Sequence, residues 1–198
     1  LFLRALGFDS REKIISLFYK TRPVEVLEDP QEKEGLVGSV LARAVFAGDG
    51  EGEKKLYRAG EKLHPHDVDE LLLSGVREVE IIDFEAEDSL NSSIILKCFE
   101  REEAKYTRDD SGLDEPSRDD ALSAVYAVLM PGEPITLESA EKDFNSMFFT
   151  TRRYDLGRVG RYKLNKKFDY QDPEESHLLT REDIVKIGRA SCRERVFS

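Results

Sequence analysis

Apolar residues in this chain never gather into a long run, and their spacing changes twice along it. This switching pattern constrains the fold more than any other feature of the sequence. Residues 9–19, DSREKIISLFY, place Ile14, Ile15, Leu17 and Phe18 at helical intervals behind Asp9 and Glu12, which stand at capping-box spacing. From Thr21 to about Glu103 the pattern becomes short β-like runs, PVEVLE, SVLARAVFAG, KKLYRAG, VREVEIID and SSIILKCFE, parted by Gly/Asp turns such as AGDGEGE. One helix interrupts them at HPHDVDELLLSGV, with Pro65 near its start and Gly75 as its cap.

Residues 100–120 hold nine acidic and four basic residues, the composition of a solvated connector. Beyond it helical spacing returns. Ser117 is placed to cap ALSAVYAVLM, and Thr136 to cap a helix with Ala140, Phe144, Met147 and Phe148 on one face. A third helix is predicted from near Asp155, and a last one at TREDIVKI, where Thr180 and Asp183 have capping-box spacing. The fold class predicted is α+β: a helical module from 1–20 and 104–187 carrying a β-rich inserted module at 21–103. Both ends of such an insert must emerge close together.

Charged residues make up 36% of the chain, and no apolar stretch approaches the roughly 20 residues that cross a bilayer. No membrane association is expected. The two cysteines, Cys98 and Cys192, stand in no ligand or disulfide pattern, which suits a reducing, cytoplasmic setting. The chain begins at Leu1 inside an apolar segment and reads as an internal fragment.

Its formal net charge is -11, yet residues 152–167, RRYDLGRVGRYKLNKK, carry seven basic residues and one acidic residue. That local +6 leaves -17 over the other 182 residues. On a helix, Arg158, Arg161 and Asn165 share one face, while Leu156, Gly160, Leu164 and Phe168 fall on another. Guanidinium groups suit phosphate because their planar fork donates paired, charge-assisted hydrogen bonds. Charge alone leaves two readings open, nucleic-acid contact or pairing with nearby carboxylates. The GRVG tetrapeptide lacks the strand pattern of a nucleic-acid-clamping GxxG loop.

Catalytic and metal patterns are missing from the sequence. His64 and His66 have no third ligand at sensible spacing and read as a helix-entry turn. No nucleophile elbow, P-loop or HExxH occurs, and the acidic pairs Asp109-Asp110 and Asp119-Asp120 fall in loops and helix starts. A small hydrolase would need those carboxylates to meet in one pocket.

Several words in fixed order carry a resemblance: MPGEP at 130–134, a T-x-E-x-A helix ending in FF at 136–149, RYDLGRVGRYKLN at 153–165 and LTREDIV at 179–185. Together with LFLRALGFDS at the start, they resemble the bacterial DNA-directed RNA polymerase beta subunit, in its lobe region. The resemblance runs from residue 1 to about 187 and is strongest over 120–168. It implies a mixed α/β lobe forming one wall of the polymerase cleft, beside downstream DNA and the non-template strand.

The resemblance further implies that this segment supplies no catalytic residue and no metal ligand to the multisubunit nucleotidyltransferase. Nucleotide addition would depend on aspartates and Mg held by the beta-prime subunit, with beta residues much further along the chain. The partners implied are DNA, the beta-prime, alpha and omega subunits, and sigma factor. The DNA-facing candidates are Arg153 first, then Arg158 and Arg161, with Lys163 and Arg152 beside them. Tyr154 and Asp155 are candidate local partners for cations that pack instead.

The last eleven residues, GRASCRERVFS, depart from the family pattern and closely resemble the in-frame translation of a sequencing adapter, so 188–198 is read as a non-native tail. Without it the net charge would be -13, because the tail carries Arg189, Arg193 and Arg195 against Glu194. The alternative to the polymerase reading is a stand-alone protein-interaction module with an acidic surface and one basic helix.

Overall fold

The computed structural model describes residues 1–47, 54–87, 89–90, 92–106, 115–169 and 176–196. Two compact units emerge from it, Leu1–Asp9 with Pro116–Ser198, and Ser10–Glu115. The fold class is α+β, with helices predominating and two small antiparallel sheets.

The terminal unit holds α1 (Phe2–Ala5), α6 (Arg118–Leu129), α7 (Leu137–Phe148), α8 (Gly157–Phe168) and α9 (Arg181–Val196). Its core is Ala5, Leu6, Ala121, Leu122, Tyr126, Ala140 and Phe144, with Phe148 and Ile184 packed against it. Phe2, Phe144 and Phe148 form a ring cluster with centroids 5.2–5.9 Å apart, the separation of favourable tilted pairs. Local chemistry starts α6 and α7 where the sequence places them. Ser117 and Asp120 cap each other's amides at 3.1 and 3.2 Å, and Thr136 Oγ1 accepts the Ser139 amide at 3.2 Å.

The ends of the excursion are drawn to one side chain. Arg4 is fully buried, donates to the carbonyl of Asp9, and lies 3.4 Å from the carbonyl of Pro116. These are the residues from which the chain leaves the terminal unit and to which it returns. Gly7, just past α1, takes a φ of +105°, and a Cβ there would stand 3.0 Å from the Arg181 guanidinium.

The middle unit contains α2 (Arg11–Phe18), β1 (Lys20–Glu25), α3 (Pro30–Leu36), β2 (Val45–Ala47), β3 (Lys54–Tyr57), α4 (Pro65–Leu73), β4 (Glu78–Asp83) and α5 (Ile94–Tyr106). Strands β1 and β4 pair antiparallel with Val24 opposite Val79, and β2 pairs with β3. Val26, Leu36, Leu41, Val45, Leu63, Val68, Leu71, Val79 and Ile81 form the core. In α4 the His64 amide donates to Asp67 Oδ2 at 2.7 Å, so the HPH sequence is a helix entry.

Several local expectations are corrected here. SSIILKCFE was expected as a strand, but its last residues belong to α5, because Ile95, Leu96 and Phe99 repeat at i, i+1 and i+4 and bury one helical face. The same helix runs into the expected solvated connector and buries Glu102, while residues 107–114 of that connector lie outside the described residues. SVLARAVFAG yields only β2 and isolated bridges at Val40 and Leu41. The turn AGDGEGE lies outside the described residues after Ala47. Unforeseen α3 starts by a plain mechanism: Asp29 Oδ1 accepts the Gln31 amide at 2.8 Å, and Pro30 presets φ at the first turn. Finally, the α2 cap is Ser10, whose Oγ accepts the Lys13 amide at 3.2 Å, where Asp9 was expected.

Candidate nucleic-acid interface

The helix α8, GRVGRYKLNKKF, contains five cations and no acidic residue, so no i,i+4 ion pair can form within it. It is started by Asp155, whose Oδ1 accepts the Gly157 amide at 2.8 Å and lies 3.5 Å from His177 Nδ1. Asp155 thus serves the helix start and His177, in place of the neighbouring arginines the sequence had offered it. The helix ends at Asp169, in the left-handed region at φ 53°, with Lys166 and Lys167 in the last turn, where the exposed carbonyls favour positive charge.

Burial divides the helix into two faces. Arg158, Val159, Tyr162, Lys163, Lys166 and Lys167 are exposed, while Gly160, Leu164, Asn165 and Phe168 are half-buried. Val159 is 69% exposed and Tyr162 52%. Gly160 keeps Leu156 close, since a Cβ there would meet the Leu156 side chain at 3.3 Å. Arg152 and Arg153, in the turn before the helix, are exposed as well. Among the described residues, Arg152, Arg153, Arg158 and Lys163 have no carboxylate in ion-pair contact.

Arg161 is different. Expected beside Arg158 on the outward face, its side chain is wholly enclosed on the inward one. Its Nη1 lies 3.0 Å from Asp183 Oδ2, its Nε donates to the Ser176 carbonyl at 2.8 Å, and its Nη2 donates to the Leu178 carbonyl. With these bonds formed, its fork faces protein oxygens and offers nothing to an outside phosphate. Of the five sequence candidates, the structure therefore presents Arg152, Arg153, Arg158 and Lys163 at the surface and withdraws Arg161.

Sequence reasoning missed Asp183 in this setting. Its carboxylate accepts the Thr180 amide at 2.8 Å and its own amide donates to Thr180 Oγ1 at 3.1 Å, which is the predicted capping box. The same carboxylate meets Arg161, across 22 positions of sequence. The available signal was an arginine on an acid-free helix followed by a predicted capping box whose carboxylate is this one.

Other candidate chemistry is thin. A cleft of about 630 Å³ in the middle unit is lined by Arg11, Tyr57, Lys62, His64, Phe99 and Glu103 among others. Acidic Glu61, Asp67, Glu100 and Glu103 line it together with basic Arg11, Lys62 and Lys97. Burial, then hydrogen bonding to Glu70 and the nearby Asp67, pushes the Tyr57 phenol above its ordinary range. Among the described residues no group of three or more His, Cys, Asp or Glu could hold a metal ion. Asp119 and Asp120 open α6, whereas Asp109 and Asp110 lie outside the described residues. No described helix is long and apolar enough to cross a membrane.

Comparison with known proteins matches residues 87–190 to the family model described as RNA polymerase Rpb2, domain 2. The chain is 57% identical over 187 residues to the DNA-directed RNA polymerase subunit beta of Treponema denticola, covering 94% of this chain and 16% of that protein. It is 50% identical over 194 residues to the subunit of the same name in Treponema pallidum, covering 98% of this chain and 16% of that protein. The corresponding figures for that of Borrelia turicatae are 47% over 191 residues, 93% and 16%. The chain thus spans about a sixth of the length of the curated relatives it matches. On the family match and these identities, the chain belongs to the RNA polymerase Rpb2 domain 2 family of DNA-directed RNA polymerase beta subunits.

Proposed function

We propose that this segment works within the lobe of an RNA polymerase beta subunit, lining the DNA channel and helping to hold downstream DNA and the non-template strand during transcription. The observation that carries this reading is the outward face of α8: cations on an acid-free helix, with Arg152 and Arg153 just before it and no described carboxylate paired to Arg152, Arg153 or Arg158. Elsewhere in an acidic chain such a face would be neutralised by its neighbours. Left uncompensated, it attracts polyphosphate, and phosphate contacts dominate the affinity of proteins for duplex DNA. The rest of the chain is net negative and repels DNA, which confines contact to this face.

In this reading nucleotidyl transfer belongs to the assembled cytoplasmic polymerase, with Mg and its aspartate ligands on the beta-prime subunit. Alpha, omega and sigma complete the assembly. The contribution of the segment is positional: it restrains downstream DNA and the non-template strand without touching the reacting phosphate.

The test is charge reversal of Arg153 and Arg158 together in the assembled polymerase, with the lifetime of a stalled complex on linear duplex DNA measured across a salt series. Each phosphate contact contributes about 0.9 of a decade of affinity at roughly 0.1 M salt, so losing two weakens DNA holding by roughly 50-fold. The salt dependence becomes shallower by roughly one unit of slope per contact. An unchanged lifetime at every salt concentration rejects the DNA-contact role.

A further inference from the structure

We infer that Arg161 and Asp183 form a buried lock that sets the rotation of α8 and so turns its cationic face outward. Both are positioning residues for the surface proposed above, and the inference rests on that reading. Within α8 the only buried residue is Arg161. Leu164 and Phe168 are half-buried, so the apolar seam of this helix is a weak guide to its orientation. Turning the helix by one residue, about 100°, would carry Arg158 and Tyr162 inward and Arg161 out. What opposes this is the pattern of bonds to Arg161.

Three donors of one rigid guanidinium meet three acceptors, the Ser176 carbonyl, the Leu178 carbonyl and the Asp183 carboxylate. The same segment grips the start of the helix, because the Leu156 amide donates to the His177 carbonyl at 3.0 Å. Residues 176–178 therefore hold α8 at Leu156 and again at Arg161, more than a turn apart, which restrains both sliding and rotation. Asp183 is in turn held by the Thr180 capping box, so the lock is anchored on the first turn of α9. Both side chains are fully enclosed. Removing either partner leaves an uncompensated buried charge, which the helix relieves by turning that charge toward water.

The lock and a plain electrostatic field predict opposite signs for Asp183→Asn. Deleting a negative charge near a DNA-facing helix should lengthen the lifetime of the stalled complex if only the field matters. If the lock matters, lifetime shortens by roughly tenfold, a size usual for directly interacting residues. The double variant Arg161→Gln/Asp183→Asn restores neutrality inside but lacks the guanidinium fork, so the lifetime stays short. Amide hydrogen exchange over residues 157–168 of the full chain accelerates in Asp183→Asn and stays fast in the double variant. Arg158→Glu is measured alongside as the report on DNA contact.

A lifetime unchanged or lengthened in Asp183→Asn, with Arg158→Glu shortening it, overturns the lock and leaves the DNA reading standing. If Arg158→Glu has no effect the DNA reading falls, and the lock is then decided by amide exchange, where wild-type rates in Asp183→Asn refute it. Should Asp183→Asn fail to assemble, Arg161→Lys serves instead, since it keeps the charge but loses the fork that reaches the carbonyls. Wild-type lifetime and exchange in Arg161→Lys would equally refute the lock.

Discussion

Four cations of the middle unit live in opposite circumstances to Arg158 and Lys163 of α8. In the middle unit Arg11 meets Glu103 and Glu115, Arg58 meets Glu103 and Glu61, Arg43 meets Glu80, and Lys33 meets Asp69. Arg11 also lies over the Phe99 ring at 5.1 Å, which adds an attraction to the ring face. On α8, by contrast, a single arginine is paired and enclosed, while Arg158 and Lys163 stand in water without a described counter-ion. The two regions use the same residue types. What separates them is whether the fold brings a carboxylate within reach, so a local count of charge describes a surface only once the partners are known.

This contrast can be broken experimentally, beginning with its most buried member. Arg161→Met, which strands the Asp183 carboxylate inside the terminal unit, should cost about 3–5 kcal/mol in urea unfolding of the chain. A loss below about 1 kcal/mol would mean that the pair is no more buried in effect than the surface pairs of the other unit. Leu122→Ala in the terminal core and Leu71→Ala in the middle core should each cost about 2–5 kcal/mol, because both side chains are fully enclosed. Near-neutral outcomes would show that one of the two cores is not built as described.

Next in size is the paired reversal of Arg153 and Arg158, whose roughly 50-fold effect on DNA holding corresponds to about 2.3 kcal/mol and should leave unfolding almost untouched. A large loss of stability in its place would mark those arginines as packing residues. Glu103→Gln in the middle unit should cost only about 1 kcal/mol, since its side chain is 36% exposed and both arginines keep a second carboxylate. If it also weakened DNA holding, the division of labour between the two regions would be wrong.

The smallest effect concerns pH. The fold favours the neutral Tyr57 phenol, chiefly through burial and then through Glu70 and Asp67. The unfolded chain loses this proton near 10.0, before the folded protein does. The contribution of Tyr57 is therefore complete below that pH and lost as pH rises above it. Tyr57→Phe should show a smaller fall in its urea midpoint between neutral and strongly alkaline pH than wild type. Equal falls would remove Tyr57 from the account.

How much of this was legible beforehand varied with the range of the interactions. Helices α4, α6, α7 and α9 start where Asp67, Ser117, Thr136 and Thr180 place them, because a cap closes bonds within three residues. Helix α5 was misread since Ile94, Ile95 and Leu96 form a short apolar run whose period is ambiguous until Phe99 is known to be buried with them. Its packing depends on a distant residue, Gly60, where a Cβ would stand 3.2 Å from the Phe99 ring. At the candidate interface, the positive stretch and its helix were evident from composition and spacing. The face on which Arg161 lies was not, because i, i+3 spacing from Arg158 allows either a shared surface or opposite sides of a boundary.

By itself, then, the sequence determined the α+β class, most helix starts, the concentration of positive charge at 152–167 and, through words such as RYDLGRVGRYKLN, the polymerase family. These rest on short-range bonds and residue order, which the chain carries before it folds. Only the tertiary structure decided which cations remain in water and which one is consumed inside. That choice depends on Asp183 arriving, 22 residues later, within 3.0 Å of Arg161. A charged side chain enters a protein interior only where folding supplies its counter-charge and acceptors, and no local pattern encodes their arrival.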